Sequence, residues 1–210
     1  MSETGERSSR ASRLSGEKRR RQLVDHALKL FGRRGFEGTS LDAVAEAAGV
    51  RKQTLLYHFP SKEELFDACV MELGDRLSIQ LEEVLEGPEV GWDRIEAVIR
   101  SVFRLAEEIP EFPLFAREGA RHSPQVVERV ASRLDPLRKR ALLYLERGME
   151  EGTFRTQDPG LLLFTLYTAV VGSLTEAGVL RAIAGGAKGS LALRRRQEEL
   201  IAFVRRALEP

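Results

Sequence analysis

Residues 51–62 read RKQTLLYHFPSK, a dense set of donors and rings around a Leu-Leu pair. Arg51 and Lys52 suit the acceptor atoms of guanine, Gln53 suits adenine, and the Thr54 methyl suits that of thymine. Tyr57, His58 and Lys62 add a hydroxyl, an imidazole and an ammonium, groups that hold phosphates in register. Such side chains make poor core and a good surface for a polyanion. His58 has a plainer reading as a packed or capping residue, and Tyr57 has one as a packing partner of Phe36 or Phe59.

The elements that must position these residues lie immediately upstream. Residues 41–58, LDAVAEAAGVRKQTLLYH, read as two short helices meeting at Gly49, with Ala45 small enough for a close crossing. This is the pattern of a helix-turn-helix. Val44, Ala48, Val50 and Leu55 fill its interior. With Leu55 inward, Arg51, Lys52, Gln53, Thr54 and Tyr57 turn outward, and a recognition helix places such N-terminal residues at base edges in the major groove. Thr39-Ser40-Leu41-Asp42 predicts a capping box between Thr39 and Asp42. Thr39 and Ser40, with the free N–H groups of their helix, predict a second phosphate site. Ser61 and Glu64 predict another capping box. It opens a long helix with Leu65, Phe66, Cys69, Val70, Leu73, Leu77, Leu81 and Val84 on one stripe. Before the pair, Ser15 predicts the cap of a helix through Leu23, Ala27, Leu30 and Phe31, stopped by Gly35.

The rest of the chain is helical in pattern. Glu86-Gly87-Pro88 marks a joint. Trp92, Ile95, Ile99, Val102 and Phe103 line one helix, and Pro110 to Phe115 forms a short proline-edged piece. Ser123-Pro124 reads as a cap with proline at the first helical position. Asp135-Pro136 reads either the same way or as a kink in a continuous helix. Asp158-Pro159 opens a strongly apolar helix to about residue 184, ended by Gly185 and Gly186, and a last helix carries Leu200, Ile201, Val204 and Leu208. The fold expected is all-α, with about nine helices and neither internal repeats nor βαβ alternation. Its parts are a disordered basic tail (1–14), a three-helix helix-turn-helix DNA-binding domain (15–60) and a helical ligand-binding and dimerisation domain (61–210).

Charge and composition narrow the class. Residues 1–62 carry 13 Lys/Arg against 7 Asp/Glu, and residues 63–210 carry 20 against 25, so a net +1 hides a basic head on an acidic body. A basic head suits a polyanionic partner. The single cysteine, Cys69, excludes an internal disulfide and reads as a small buried hydrophobe. With no leader pattern, and no uncharged apolar run near the roughly 20 residues of a membrane span, the expected location is cytoplasmic. An enzyme is disfavoured. His26, His58 and His122 are scattered and no ligand cluster has zinc spacing. No nucleophile elbow, Walker loop or dinucleotide fingerprint occurs, and Glu63-Glu64, Glu107-Glu108 and Glu150-Glu151 suit solvated helix faces. No metal or cofactor is expected.

The run FGRRGFEGTSLDAVAEAAGVRKQTLLYHFPSKEELF, Phe31 to Phe66, resembles the TetR family of transcriptional regulators. It joins Phe-x-x-x-Gly-Phe, Gly-Thr-Ser, Ala-x-x-x-Gly-Val and Phe-x-Ser-Lys-Glu-x-Leu in the family's order. The resemblance implies an Ω-shaped homodimer binding a palindromic double-stranded DNA operator, most often as a repressor released by a small apolar or amphipathic effector. It assigns Thr54 to a DNA contact and Lys62 to a phosphate. Leu56 departs from the family's usual tyrosine, and Tyr57 follows one residue later. The same resemblance implies a dimer surface on the closing helices, with Val171, Leu174, Leu200, Val204 and Leu208 supplying apolar area beside Ala169, Gly172, Ser173 and Gly178. The alternative is that these residues pack inside one subunit. It also implies an effector pocket walled by Phe103, Phe112, Phe115, Tyr144, Phe164 and Tyr167, residues that otherwise read as core. The competing function is a helical dimeric ligand- or protein-binding module without sequence-specific DNA binding.

Overall fold

The computed structural model describes residues 3–185 and 189–210; Met1, Ser2 and the second glycine of the expected stop, Gly186, lie outside it. The described residues form helices α1 (Glu3–Arg34), α2 (Leu41–Ala47), α3 (Lys52–His58), α4 (Lys62–Glu86), α5 (Trp92–Glu108), α6 (Phe112–His122), α7 (Pro124–Glu150), α8 (Pro159–Thr175), α9 (Ala177–Ala184) and α10 (Ser190–Leu208), with no strand among them. The all-α expectation holds. The chain divides into two compact units, Met1–Glu72 and Leu73–Pro210, and α4 carries the chain from one to the other.

Two helix limits differ from the sequence reading. The first helix already runs from Glu3, so Ser15 lies within it instead of capping it, and residues 3–14 are helical where a disordered tail was expected. A cap favours a helix start but does not compel one, and no proline interrupts this Glu- and Arg-rich stretch. The apolar helix expected over about 159–184 is two helices, because Glu176 leaves helical geometry (φ −97°, ψ 36°). The break exposes terminal carbonyls of α8. Arg196 answers one of them, donating from Nη1 to the Ser173 carbonyl oxygen at 2.6 Å. Partial burial, with Arg181 nearby, pulls the Arg196 guanidinium below its usual pKa.

In the first unit, Leu23, Ala27 and Phe31 of α1 are buried with Val44 and Ala45 of α2, Leu55 of α3, and Leu65, Phe66 and Cys69 of α4. Three rings form the centre: Phe31 stacks on Phe36 at 5.9 Å, and Phe66 meets them edge-on at 5.2 and 5.1 Å. Gly49 makes the turn between α2 and α3 with φ +66°, a conformation that side chains with a Cβ rarely hold. The Val50 N–H donates to the Ala45 carbonyl across that turn at 2.9 Å. Cys69 is the buried hydrophobe expected. Its thiol lies 3.9 Å from the Val24 carbonyl, and burial raises its pKa well above the ordinary value, with Asp25 and Glu72 adding to the effect and Arg20 opposing it.

In the second unit, α10 packs on α5 and α8, while α6 and α7 pack on each other and on α8. Arg100 of α5 joins Glu96 of its own helix to Glu198 of α10, with contacts of 2.6 and 3.0 Å to the latter. That pairing holds the Glu198 carboxyl below its usual pKa. Pro136 sits inside one continuous α7, the second of the two readings of Asp135-Pro136. Asp158 caps α8 as expected, accepting from the Leu161 N–H at 2.8 Å. The corner after α7 is closed by the buried Phe154, whose N–H donates to the Gly148 carbonyl at 2.9 Å. A Cβ on Gly148 would lie 2.2 Å from the Phe154 ring.

Gly148→Ala is therefore expected to destabilise the protein by about 1–3 kcal/mol, because the ring has to leave its site; chemical denaturation measures this. Cys69 generates a pH prediction. Its thiol stays protonated in the folded state while the unfolded thiol ionises above about pH 8.5, so folded stability should fall as pH rises through that range. Cys69→Ala should make the fall shallower, and an unchanged alkaline slope in denaturation curves would contradict the assignment.

Candidate nucleic-acid interface

Helix α3 has a single fully buried side chain, Leu55, and it fixes the rotation of the whole helix. Arg51, Lys52, Gln53 and Tyr57 are exposed as a result, while Thr54, Leu56 and His58 are partly covered. Arg51 occupies the N-cap position with extended backbone and makes no side-chain cap. Tyr57 is 84% exposed, so it packs on neither Phe36 nor Phe59. Its ring instead meets the His58 ring edge-on at 5.2 Å. Leu56 is half-buried, which leaves Tyr57 as the aromatic side chain that α3 offers to solvent. Lys62 lies with its ammonium 4.3 Å over the Phe36 ring, and Arg20 covers the Phe59 ring at 4.8 Å.

The first capping box is corrected by one residue. Ser40, not Thr39, caps α2, its hydroxyl accepting from the Ala43 N–H at 3.2 Å. Thr39 is buried and donates its hydroxyl proton to the Gly35 carbonyl at 2.8 Å. Its side chain is spent on closing the loop after α1, which removes it as a phosphate donor and leaves Ser40 as the exposed hydroxyl. Asp42 does not return to the cap but pairs with Lys52, Oδ2 to Nζ at 2.8 Å. A period argument cannot separate two adjacent hydroxyl residues, whereas the loop from Gly35 can. At the second box Ser61 behaves as expected, accepting from the Glu64 N–H at 3.0 Å.

The geometry of this unit coincides with a match to the profile of bacterial regulatory proteins, tetR family, over residues 23–69. Over those residues the chain is similar to the tetR family. Across more of its length it is 28% identical over 170 residues to the HTH-type transcriptional regulator RutR of Escherichia coli (strain K12), covering 80% of this chain and 79% of that protein. Among solved structures, the ketosteroid transcriptional regulator KstR2 of Mycobacterium tuberculosis superposes with a TM-score of 0.71 at 24% identity, covering 91% of this chain and 95% of that one. AibR, solved with isovaleryl coenzyme A and operator DNA, superposes with a TM-score of 0.72 at 21% identity, covering 89% and 97%. These superpositions carry the tetR fold through both units of the chain.

The expectations for the second unit divide. Phe103, Phe112 and Phe115 are buried on α5 and α6. Tyr144 is partly buried and donates its hydroxyl proton to the Gly91 carbonyl at 2.9 Å, with the Arg94 guanidinium 5.3 Å from its ring. Phe164 and Tyr167, placed with them from sequence, are instead 61% and 59% exposed, while Phe103, Phe112 and Phe115 are buried. Helix α8 is apolar around most of its circumference, so spacing alone did not say which of its faces turns inward; Leu162, Val170 and Leu174 do. The dimer residues are corrected in the same way. Leu174, Leu200, Val204 and Leu208 are buried within the subunit, the alternative reading, and Val171 is half-buried. Leu161, Phe164 and Tyr167 of α8 and Leu191 and Phe203 of α10 are among the exposed apolar residues of this unit. Between α8 and α10 lies a cleft of about 320 Å³, lined by Leu161, Leu162, Thr165, Phe203 and Val204 among others and by none of the six aromatics expected to wall a pocket.

Sequence reasoning missed the outward stripe on α8 and α10 and the pairing of Asp42 with Lys52. The first was hidden by the uniform apolarity of α8. The second joins residues ten positions apart on two helices, and it follows only from the turn at Gly49 that sets the direction of α3.

If α3 is the reading surface, Gln53→Ala should cost about 1–3 kcal/mol on a cognate duplex and relax its sequence preference, whereas Lys62→Ala should weaken all duplexes alike. Binding titrations on matched and scrambled DNA distinguish the two.

Proposed function

We propose that this protein is a ligand-responsive transcriptional repressor that binds a palindromic operator as a homodimer and is released by a small amphipathic effector. The observation that carries the reading is the orientation of α3: Leu55 is fully buried, and Arg51, Lys52, Gln53 and Tyr57 are turned to solvent. These are the side chains that read base edges and hold phosphates, on the short second helix of a helix-turn-helix. Ser40 and Lys62 would flank them on the backbone, with Thr54 and His58 at the margin of the contact. The match of residues 23–69 to the tetR family model and the similarity to RutR support the regulatory role.

The second unit supplies the pairing surface and the effector site. Leu161, Phe164, Tyr167 and Phe203 expose apolar area that suits a twofold contact with the same helices of a second copy. Buried aromatics on α5 and α6 suit an effector with an apolar part; AibR, of similar fold, was solved with isovaleryl coenzyme A. Two recognition helices in a dimer must reach successive major grooves about 34–36 Å apart. An effector that binds a different spacing better shifts the population away from the operator-bound state.

Selection of bound duplexes from random DNA should return a palindrome with half-sites about one helical turn apart. Affinity for it should fall steeply with salt as counterions are released. Enrichment of no duplex, or of one half-site only, would contradict the proposal. Phe203→Glu should leave the subunit folded, since the side chain is 63% exposed, yet convert the dimer to monomer in analytical ultracentrifugation.

A further inference from the structure

We propose that Asp42 is a specificity-determining residue that acts through Lys52, holding its ammonium away from phosphates and presenting it to a base edge. The inference rests on the DNA-binding reading of α3 and adds a positioning residue to it. Lys52 is the first residue of α3 and Asp42 the second of α2, and the Gly49 turn between the helices lets the Lys52 side chain reach back to Asp42. The ammonium and the carboxylate meet at 2.8 Å, with side chains 52% and 65% exposed, so the pair stands on the outward surface of the helix-turn-helix. Asp42 has no capping duty to explain its presence, because Ser40 caps α2.

A carboxylate beside groups that meet DNA repels the polyanion, and its effect on Lys52 offsets that repulsion. An unpaired lysine is a mobile point charge on a four-carbon stem, and near a duplex it finds the closest phosphate whatever the sequence. Paired with Asp42, Lys52 and its partner carry no net charge, so a phosphate gains little from approaching them. The ammonium has three donors, and one is engaged by the carboxylate. The other two are held near the start of α3, where an acceptor-rich base edge such as that of guanine can receive them. The pair weakens sequence-independent binding and leaves sequence-dependent binding in place.

The test uses the full-length protein and a duplex obtained by selection, compared with a scrambled duplex over a range of salt. Native protein, Asp42→Ala, Asp42→Asn, Lys52→Ala and the Asp42→Ala/Lys52→Ala double variant are measured, with thermal unfolding to establish that each is folded. Asp42→Asn keeps the side-chain shape, so it carries the test if the alanine variant is poorly folded. Either Asp42 substitution should tighten binding to scrambled DNA and steepen its salt dependence by about one counterion. The preference for the selected duplex should fall about two- to fivefold, the range an exposed ion pair supports. With Lys52 already replaced, removing Asp42 should leave that preference unchanged. An equal rise on both duplexes would reduce Asp42 to a bulk charge and overturn the proposal, as would the same loss of preference without Lys52. A native protein with no preference for any duplex would instead remove the DNA-binding reading itself.

Discussion

The burial of Leu55 is the constraint on which the head of this molecule turns. A seven-residue helix has little stability of its own. It holds one rotation only because one side chain is fully enclosed and because the Gly49 turn fixes its start. Rotating α3 by one residue would place Thr54 or Leu56 in the core and turn Gln53 or Tyr57 through about 100°. Everything proposed for base recognition therefore rests on a contact that touches no DNA. The Phe31, Phe36 and Phe66 cluster has the same role one layer down, since it gives α1, the loop before α2, and α4 a common rigid centre.

The helix-turn-helix was legible because its signals are local and stereochemical. Gly49 must take a positive φ, Ala45 must be small, and Leu55 is the apolar residue of α3 that meets α2. Each conclusion needs only a few neighbouring residues, and the structure agrees with all three. The cap before α2 was misplaced because Thr39 and Ser40 are equally good caps by type. What separates them is the Gly35 carbonyl, which claims the Thr39 hydroxyl from four residues upstream.

The second unit was legible in composition and poorly legible in orientation. Asp158-Pro159 announced the start of α8, and Asp158 caps it. From there PGLLLFTLYTAVVGSLT offers apolar residues on nearly every face. A helix of that kind has two apolar sides, and sequence cannot say which belongs to its own subunit. Assigning Leu174, Leu200, Val204 and Leu208 to the outside, and Phe164 and Tyr167 to a pocket, inverted the two sides. The end of α8 was missed for a different reason. Its C-terminal carbonyl is met by Arg196, a residue more than twenty positions away, and nothing near Thr175 signals that support.

The outward stripe on α8 and α10 and the short reading helix belong to one argument. A helix of seven residues brings only a few side chains to base edges, each worth about 1–3 kcal/mol of discrimination. Selecting one site in a genome takes about 4–10 kcal/mol over non-specific binding, because competing sites are so numerous. A solitary head falls at the lower edge of that requirement, the more so when Lys52 shares its ammonium with Asp42. Joining two heads through Leu161, Phe164, Tyr167 and Phe203 makes the second contact intramolecular, so discrimination from both half-sites accumulates with little further loss of freedom. In the proposed dimer the exposed aromatics of the body are thus as much a condition of sequence preference as the donors on α3.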